Sequence, residues 1–334
     1  MSIQVIKAGA LTSVQDLGRY GYQRFGVPVN GAMDEWSHRL ANRLVGNPET
    51  EATLECTLTG PSLLFKSNQL ISICGADLSP TIDRRPFPQG RPVLVRAGAQ
   101  LDFGKCERGA RTYIAVSGGY QIASVMDSKS TYLRGAFGGF SGRALQKGDV
   151  IKIGMAQMKD CYLALSRVFN ATRDNFVAPS WAAVSTTCAP SPGVVRVIAG
   201  QQWQAFTEEA QKKFTSATFC ISAQSDRMGY RMEGVALALR QPIEMISEAV
   251  CFGTIQVPPD GNPIVLMADR QTTGGYPKIA QVATVDLPLL AQMLPQQKLR
   301  FVLITLEQAQ QLYLEREREI QQIQWSIDDQ KKMK

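Results

Sequence analysis

No run in the 334 residues reaches the roughly 18 apolar positions that a membrane-spanning helix needs, and the opening MSIQVIKAGALTSVQD has no apolar segment behind a basic start. No membrane partner is expected, and the cytoplasm is the expected location. Histidine is almost missing. His38 is the single one and falls inside a predicted helix, so Ser-His-Asp or Cys-His catalysis would rest on it alone; a solvated or capping helix residue is the simpler reading. The seven cysteines (Cys56, Cys74, Cys106, Cys161, Cys188, Cys220, Cys251) are scattered, odd in number and never form C-x-x-C, which argues against a disulfide framework or a zinc site. They read as reduced, mostly buried thiols. There is no G-x-x-x-x-G-K-[ST] and no G-x-G-x-x-G after a strand, so any nucleotide is held by something other than a P-loop or a dinucleotide fingerprint. The net charge is +7, but the only dense basic run is the terminal KKMK. A nucleic-acid partner is not expected, and a pocket for small anions is the better use of the surplus.

What is present is an ordinary globular composition, 44% hydrophobic and 19% charged, on a chain long enough for two domains. Short β-type runs bounded by Gly, Pro, Asn and Asp fill residues 52 to 160: ATLECTL, SLLF, QLISICGA, PVLVRAG, QLDFG, RTYIAVSGG and DVIKIG. One helix precedes them, EWSHRLANRLVG, with Asp34 as N-cap and Gly46 as its stop. APSWAAVSTTCAPSPG (residues 178–193) suits a connection, which places the domain boundary within residues 165 to 192. Beyond it come VVRVIAG, a helix around WQAFTEEAQKKF, then ATFCIS, GVALAL, GTIQVPP, PIVLMA, AQVATV and LRFVLIT. The expected domains are 1–170 and 193–315, followed by 316–334 as a helix end and mobile tail. LEQAQQLYLEREREIQQIQW reads as a helix with Ala309, Leu312, Tyr313, Ile320 and Ile323 on one stripe, and SIDDQKKMK as the tail. RYGYQ (residues 19–23) and RMGYR (residues 227–231) echo one another across the two β-rich halves, which suggests a duplicated architecture.

Three polar, glycine-rich segments interrupt the β pattern. The first, TSVQDLGRYGYQRFGVPVNGAMD (residues 12–34), interleaves Gln15, Asp16, Arg19, Gln23 and Asn30 with glycines that allow close backbone approach to a ligand. In the second, YLRGAFGGFSGRALQKGD (residues 132–149), Gly138, Gly139, Gly142 and Arg143 make either an anion nest or a long hairpin connection. The third joins SDRMGYRMEG to SEAVCFGTIQVPPDGNPIVLMADRQTTGGYPKIAQV. It is dense in arginine, carboxylate, hydroxyl and amide groups of the kind that capture carboxylate or phosphate. A surface salt-bridge network is the plainer explanation, but Thr-Thr-Gly-Gly-Tyr-Pro after a strand points to a ligand-facing loop. Lys159 in AQMKDC departs from the AMKM of a biotin-attachment site and reads as a surface lysine.

Together these segments resemble the biotin-dependent carboxyltransferase or allophanate hydrolase subunit 2 family, in layout nearest its 5-oxoprolinase members, in order from about residue 3 to about residue 310. The resemblance implies a mainly β chain of two cyclophilin-like β-barrel domains with a few helices. It implies ATP-dependent conversion of 5-oxo-L-proline (pyroglutamate) to L-glutamate, with the B and A subunits of 5-oxoprolinase as partners and a site shared with the shorter B subunit. Carboxyl transfer from carboxybiotin, as in a urea-type carboxylase, and non-catalytic antagonism of a histidine-kinase inhibitor are the alternatives it carries. Under the first reading, Asp226, Arg227, Glu248 and Asp269 are the catalytic candidates. Gln15, Asp16, Arg19, Arg143, Arg231, Gln256, Arg270, Gln271, Thr272, Thr273, Gly274 and Gly275 are candidates for binding substrate or ATP. Asp226, Glu248 or Asp269 could hold an Mg²⁺ accompanying ATP, with water in its remaining positions, or orient the amide N-H of the substrate; no dedicated protein metal site is expected. Biotin enters only in the carboxyl-transfer reading.

Overall fold

Alternating burial marks the first strand of each half. In Ser2–Lys7 the side chains of Ile3 and Val5 are buried, and in Val194–Ala199 those of Val195 and Val197. The structure, a computed structural model, describes residues 1–155, 161–183 and 193–329. It is mainly β. Two units divide the chain: Met1–Arg19, Asp34–Thr186 and Arg318–Lys334 form the first, Tyr20–Met33 and Thr187–Glu317 the second.

The first unit holds two six-stranded sheets. One runs Val150–Lys152, Ser2–Lys7, Ser62–Phe65, Gln100–Asp102, Thr81–Ile82, Arg85–Pro86 from edge to edge. The other runs Phe176–Val177, Val93–Val95, Gln69–Asp77, Arg108–Val116, Thr53–Thr57, Leu11–Gln15. One face of the second sheet is apolar and lines the core with Val14, Leu54, Ile71, Ile73 and Ile114. Its other face is polar yet buried: registers Gln15↔Thr53, Ser13↔Glu55 and Tyr113↔Glu55 put those side chains together, none more than 1% exposed. Helix Glu35–Leu44 begins as expected, with Asp34 accepting from Ser37 N at 2.9 Å, and Gly46 follows its end at φ 77°.

In the second unit seven strands close into a barrel in the order Val194–Ala199, Lys278–Val282, Thr254–Gln256, Ile264–Leu266, Gly229–Glu233, Phe219–Ile221, Lys298–Leu303. The last pairs with the first in parallel, Val195 opposite Phe301, which completes the ring and removes open edges. Phe214 from helix Glu208–Ser216 stacks on Phe301 with centroids 4.8 Å apart.

Several expectations are corrected. His38 is fully buried, not solvated. Its ring nitrogens lie 2.9 Å from Thr53 Oγ1 and 3.0 Å from Glu49 O, and burial pushes its pKa down to about 4. Residues 234–239 form no strand, because Leu237 N donates to Gly261 O and Thr207 N to Ala238 O, leaving only an isolated bridge at Leu239. The helix expected around residues 203–214 divides into a 3-10 turn at Trp203–Ala205 and a helix at Glu208–Ser216, where the Thr207 side chain accepts from Ala210 N. The C-terminal helix runs on through Asp329 with Ile327 buried, so residues 326–329 are not a tail. Tyr313 is 45% exposed and off the buried stripe. Cys56 and Cys74 are buried, with burial pushing both thiols up, whereas Cys251 is exposed. Lys159, Cys188 and residues 330–334 lie outside the described residues.

The second glycine-rich segment packs tightly against residues 130 and 131. A Cβ on Gly138 would run into Ser130 O, and one on Gly139 into Thr131 Oγ1, and both glycines have positive φ. Gly139→Ala is expected to destabilise the chain by about 1–3 kcal/mol through overpacking, read as a lower urea midpoint with unchanged m-value.

Candidate functional site

In the second unit a buried charge pair organises the third polar segment. Arg227 and Asp269 are 6% and 5% exposed. Arg227 Nε donates to Asp269 Oδ2 at 2.9 Å and its Nη2 to Oδ1 at 3.0 Å, a two-pronged guanidinium–carboxylate contact. The backbone repeats the connection, Asp269 N donating to Arg227 O at 2.8 Å, beside the register Gly229↔Leu266. Two residues of the opening stretch complete the cluster. Asn30 Nδ2 donates to Asp269 Oδ1 at 2.8 Å, and Gly31 O accepts from Arg227 Nη2 at 2.7 Å. Asn30 and Gly31 both have positive φ, 59° and 96°, as an Asn-Gly turn permits. In the sequence Asn30 is one polar residue among several; nothing in the spacing ties it to a carboxylate 239 positions away.

Around this pair the remaining residues separate by exposure. Arg270 is 8% exposed and lies over the Phe252 ring at 5.8 Å. Gln271, Thr273 and Gly275 are exposed and Thr272 is half-buried, forming the outward side of the loop. Asp226 is exposed and its Oδ1 accepts from Met228 N at 2.7 Å, shaping the turn into the strand that carries the exposed Arg231. A second cluster lies on the barrel's outer wall. Glu248–Ala249 pairs only with Thr273–Gly274, making a two-stranded ribbon. A Cβ on Gly274 would strike the Gln256 amide, and Gln256 itself is 4% exposed. Lys278 sits directly across from Gln256 and donates to Glu248 Oε2 at 2.8 Å and to Ala249 O at 3.1 Å. Nothing in the sequence singles out Lys278, because its importance depends on this cross-strand register.

Four candidates lie in the first unit. Asp16 Oδ1 accepts from Gly18 N, Ser128 Oγ and Ser130 Oγ, and Oδ2 from Lys129 N at 2.6 Å. Arg19 is fully buried; its Nη2 donates to Ser130 O at 2.6 Å and its guanidinium lies over Phe137. The Arg19 and Arg227 echo therefore holds at the arginine, each binding a backbone carbonyl. It ends beyond the arginine, because Gly229 and Tyr230 lie in a barrel strand with Tyr230 buried, whereas Gly21 and Tyr22 lie in no strand. Gln15 donates to Ser13 Oγ and Thr131 O, while its buried Oε1 has no hydrogen-bond partner among the described residues. Arg143 grips Asp149 through both terminal nitrogens, at 2.7 and 2.8 Å, and these bonds hold the Asp149 carboxyl below the usual range. Among the described residues no group of three or more His, Cys, Asp or Glu side chains is arranged to hold a metal. No described helix is long and apolar enough to cross a membrane.

These features define a mainly β protein with a closed barrel that carries an arginine-containing, loop-built candidate site. The chain belongs to the carboxyltransferase domain family, subdomain A and B, whose model matches residues 25–303. It is similar to the C subunit of 5-oxoprolinase from Haemophilus influenzae, 36% identical over 98% of this chain and 99% of that protein. It is similar also to the C subunit of 5-oxoprolinase from Escherichia coli, 33% identical over 97% and 98%. Among solved structures, the K. lactis urea amidolyase superposes with a TM-score of 0.84 at 30% identity; 96% of this chain corresponds to 20% of that one.

Proposed function

We propose that this chain is one component of an ATP-dependent 5-oxoprolinase, converting 5-oxo-L-proline, ATP and water to L-glutamate, ADP and phosphate together with the B and A subunits. The observation that carries the reading is the end-to-end correspondence with two proteins named for that enzyme, against a one-fifth match to the much longer urea amidolyase. The chemistry suits the residues. A lactam amide is a poor electrophile, phosphorylation of its oxygen makes it reactive, and negative charge must be stabilised on both substrates. The mutual grip of Arg227 and Asp269 supports a positioning role for them: they hold the start of the loop that presents Gln271, Thr272 and Thr273, while the exposed Arg231 stands further along the strand that follows Arg227, opposite Ile264. Those outward groups are the ones assigned to substrate or ATP. Mg²⁺ bound to ATP would neutralise phosphate charge.

Phosphate release from ATP, with 5-oxo-L-proline and the candidate B and A subunits, tests the reading. Substrate-dependent release should require this chain and fall about tenfold or more in Arg231→Ala, the loss of one charge-assisted contact. No stimulation despite a stable complex would sink it. Carboxyl transfer from carboxybiotin is the second reading, favoured by the TM-score of 0.84 to urea amidolyase. It predicts conversion of carboxybiotin to biotin with its carboxyl group recovered on an acceptor substrate, in place of ATP turnover.

A further inference from the structure

We propose that Lys278 and Gln256 form a seat for a small anion, a carboxylate or a phosphate, on the outer wall of the second unit's barrel, and that Glu248 fills that seat when no ligand is bound. The inference rests on the reading above that this unit handles small anionic substrates. Gln256 is opposite Lys278 on adjacent barrel strands where the register shifts, and both meet the same ribbon, Lys278 donating to Glu248 and Gly274 abutting the Gln256 amide. Both are largely shielded, the Lys278 side chain at 12% exposure and Gln256 at 4%. Gln256 Nε2 donates to Tyr276 O at 3.3 Å, and an amide nitrogen carries a second hydrogen besides. An ammonium and an amide N-H so placed form a donor pair suited to two oxygens of one anion.

What covers them does not belong to the barrel. The ribbon Glu248–Ala249 with Thr273–Gly274 lies over Gln256, made possible by the missing side chain at Gly274. Glu248 reaches in from this ribbon and gives Lys278 a carboxylate oxygen at 2.8 Å, although the Glu248 side chain is itself 42% exposed. The cation is therefore part of the wall, and the carboxylate comes from outside. An ion pair with one partner that exposed contributes little to stability, so a ligand anion can take its place. The residues before the ribbon allow the exchange: Gln241–Ser247 has no regular structure, and Ile246 in it is 89% exposed. Lifting Glu248 away would uncover Lys278 without disturbing any barrel strand pairing.

The two ends of the pair then have opposite effects on binding, which a merely structural salt bridge would not show. Calorimetric titration of 5-oxo-L-proline and, separately, inorganic phosphate into the full chain at low salt reads this directly. Lys278→Met should weaken binding about tenfold or more, and Glu248→Gln should tighten it about threefold by removing the competitor. Thermal unfolding is checked first, and Lys278→Gln replaces Lys278→Met if the latter does not fold. The pattern with 5-oxo-L-proline identifies a carboxylate seat, and the pattern with phosphate a phosphoryl seat. Equal affinities in all three proteins, or no binding of either anion by wild type and Glu248→Gln, would overturn the inference. Opposite shifts in binding without ATP turnover would keep the seat and remove the oxoprolinase reading.

Discussion

Asp269→Ala is expected to destabilise the protein by about 3–5 kcal/mol, because it leaves the Arg227 guanidinium buried without its carboxylate. Arg227 is 6% exposed, and its Nε and Nη2 both point at Asp269, with Gly31 O as a further acceptor of Nη2. The Asn30 amide loses its acceptor in the same step. Adding Arg227→Met to Asp269→Ala should recover a large part of the loss, since removing both charges ends the desolvation penalty. Urea unfolding of the two single variants and the double variant measures this non-additivity. An Asp269→Ala protein that unfolds at the wild-type midpoint yet has lost turnover would show that the carboxylate acts in the chemistry and that the positioning role is wrong.

The second large effect is expected with pH. Burial lowers the His38 pKa from 6.5 to about 4, so the folded protein holds it neutral while the unfolded chain begins to bind a proton at higher pH. For a folded pKa that is depressed, the contribution is complete above about pH 6.5, falls as pH drops through the window down to about 4, and changes no further below it. The total is about 3 kcal/mol at roughly 1.4 kcal/mol per unit. His38→Gln should remove this slope while costing some stability at neutral pH through the altered bonds to Thr53 and Glu49. Urea midpoints of both proteins at intervals between pH 7 and 4 test it; parallel curves would refute the assignment to His38.

Much of the fold is legible in the chain. Alternation in SIQVIK and VVRVIA, and the runs SLLF, QLISICGA and LRFVLIT, identify strands because a half-buried pleated surface needs apolar side chains every second residue. The Asp34 cap and Gly46 stop define a helix through local bonds that need no tertiary partner. GVALAL is strand-like for the same reason, yet long-range bonds to residues 207 and 261 claim its backbone instead. His38 reads as solvated because nothing local reveals that its helix lies with that face buried.

For the candidate site the division is similar. Sequence alone determined that polar, glycine-rich segments interrupt a β-rich chain, which of them carry arginine and carboxylate, that no P-loop or zinc motif is present, and that any histidine-centred catalysis would rest on His38. Those are matters of residue type and short spacing. Only the tertiary structure decided the pairings: Arg227 with Asp269 and Asn30, Arg143 with Asp149, and Lys278 with Glu248 across from Gln256. The physical reason is that a charged group's role is set by the partner it meets in a low-dielectric environment, and strand register brings together partners that the sequence keeps far apart.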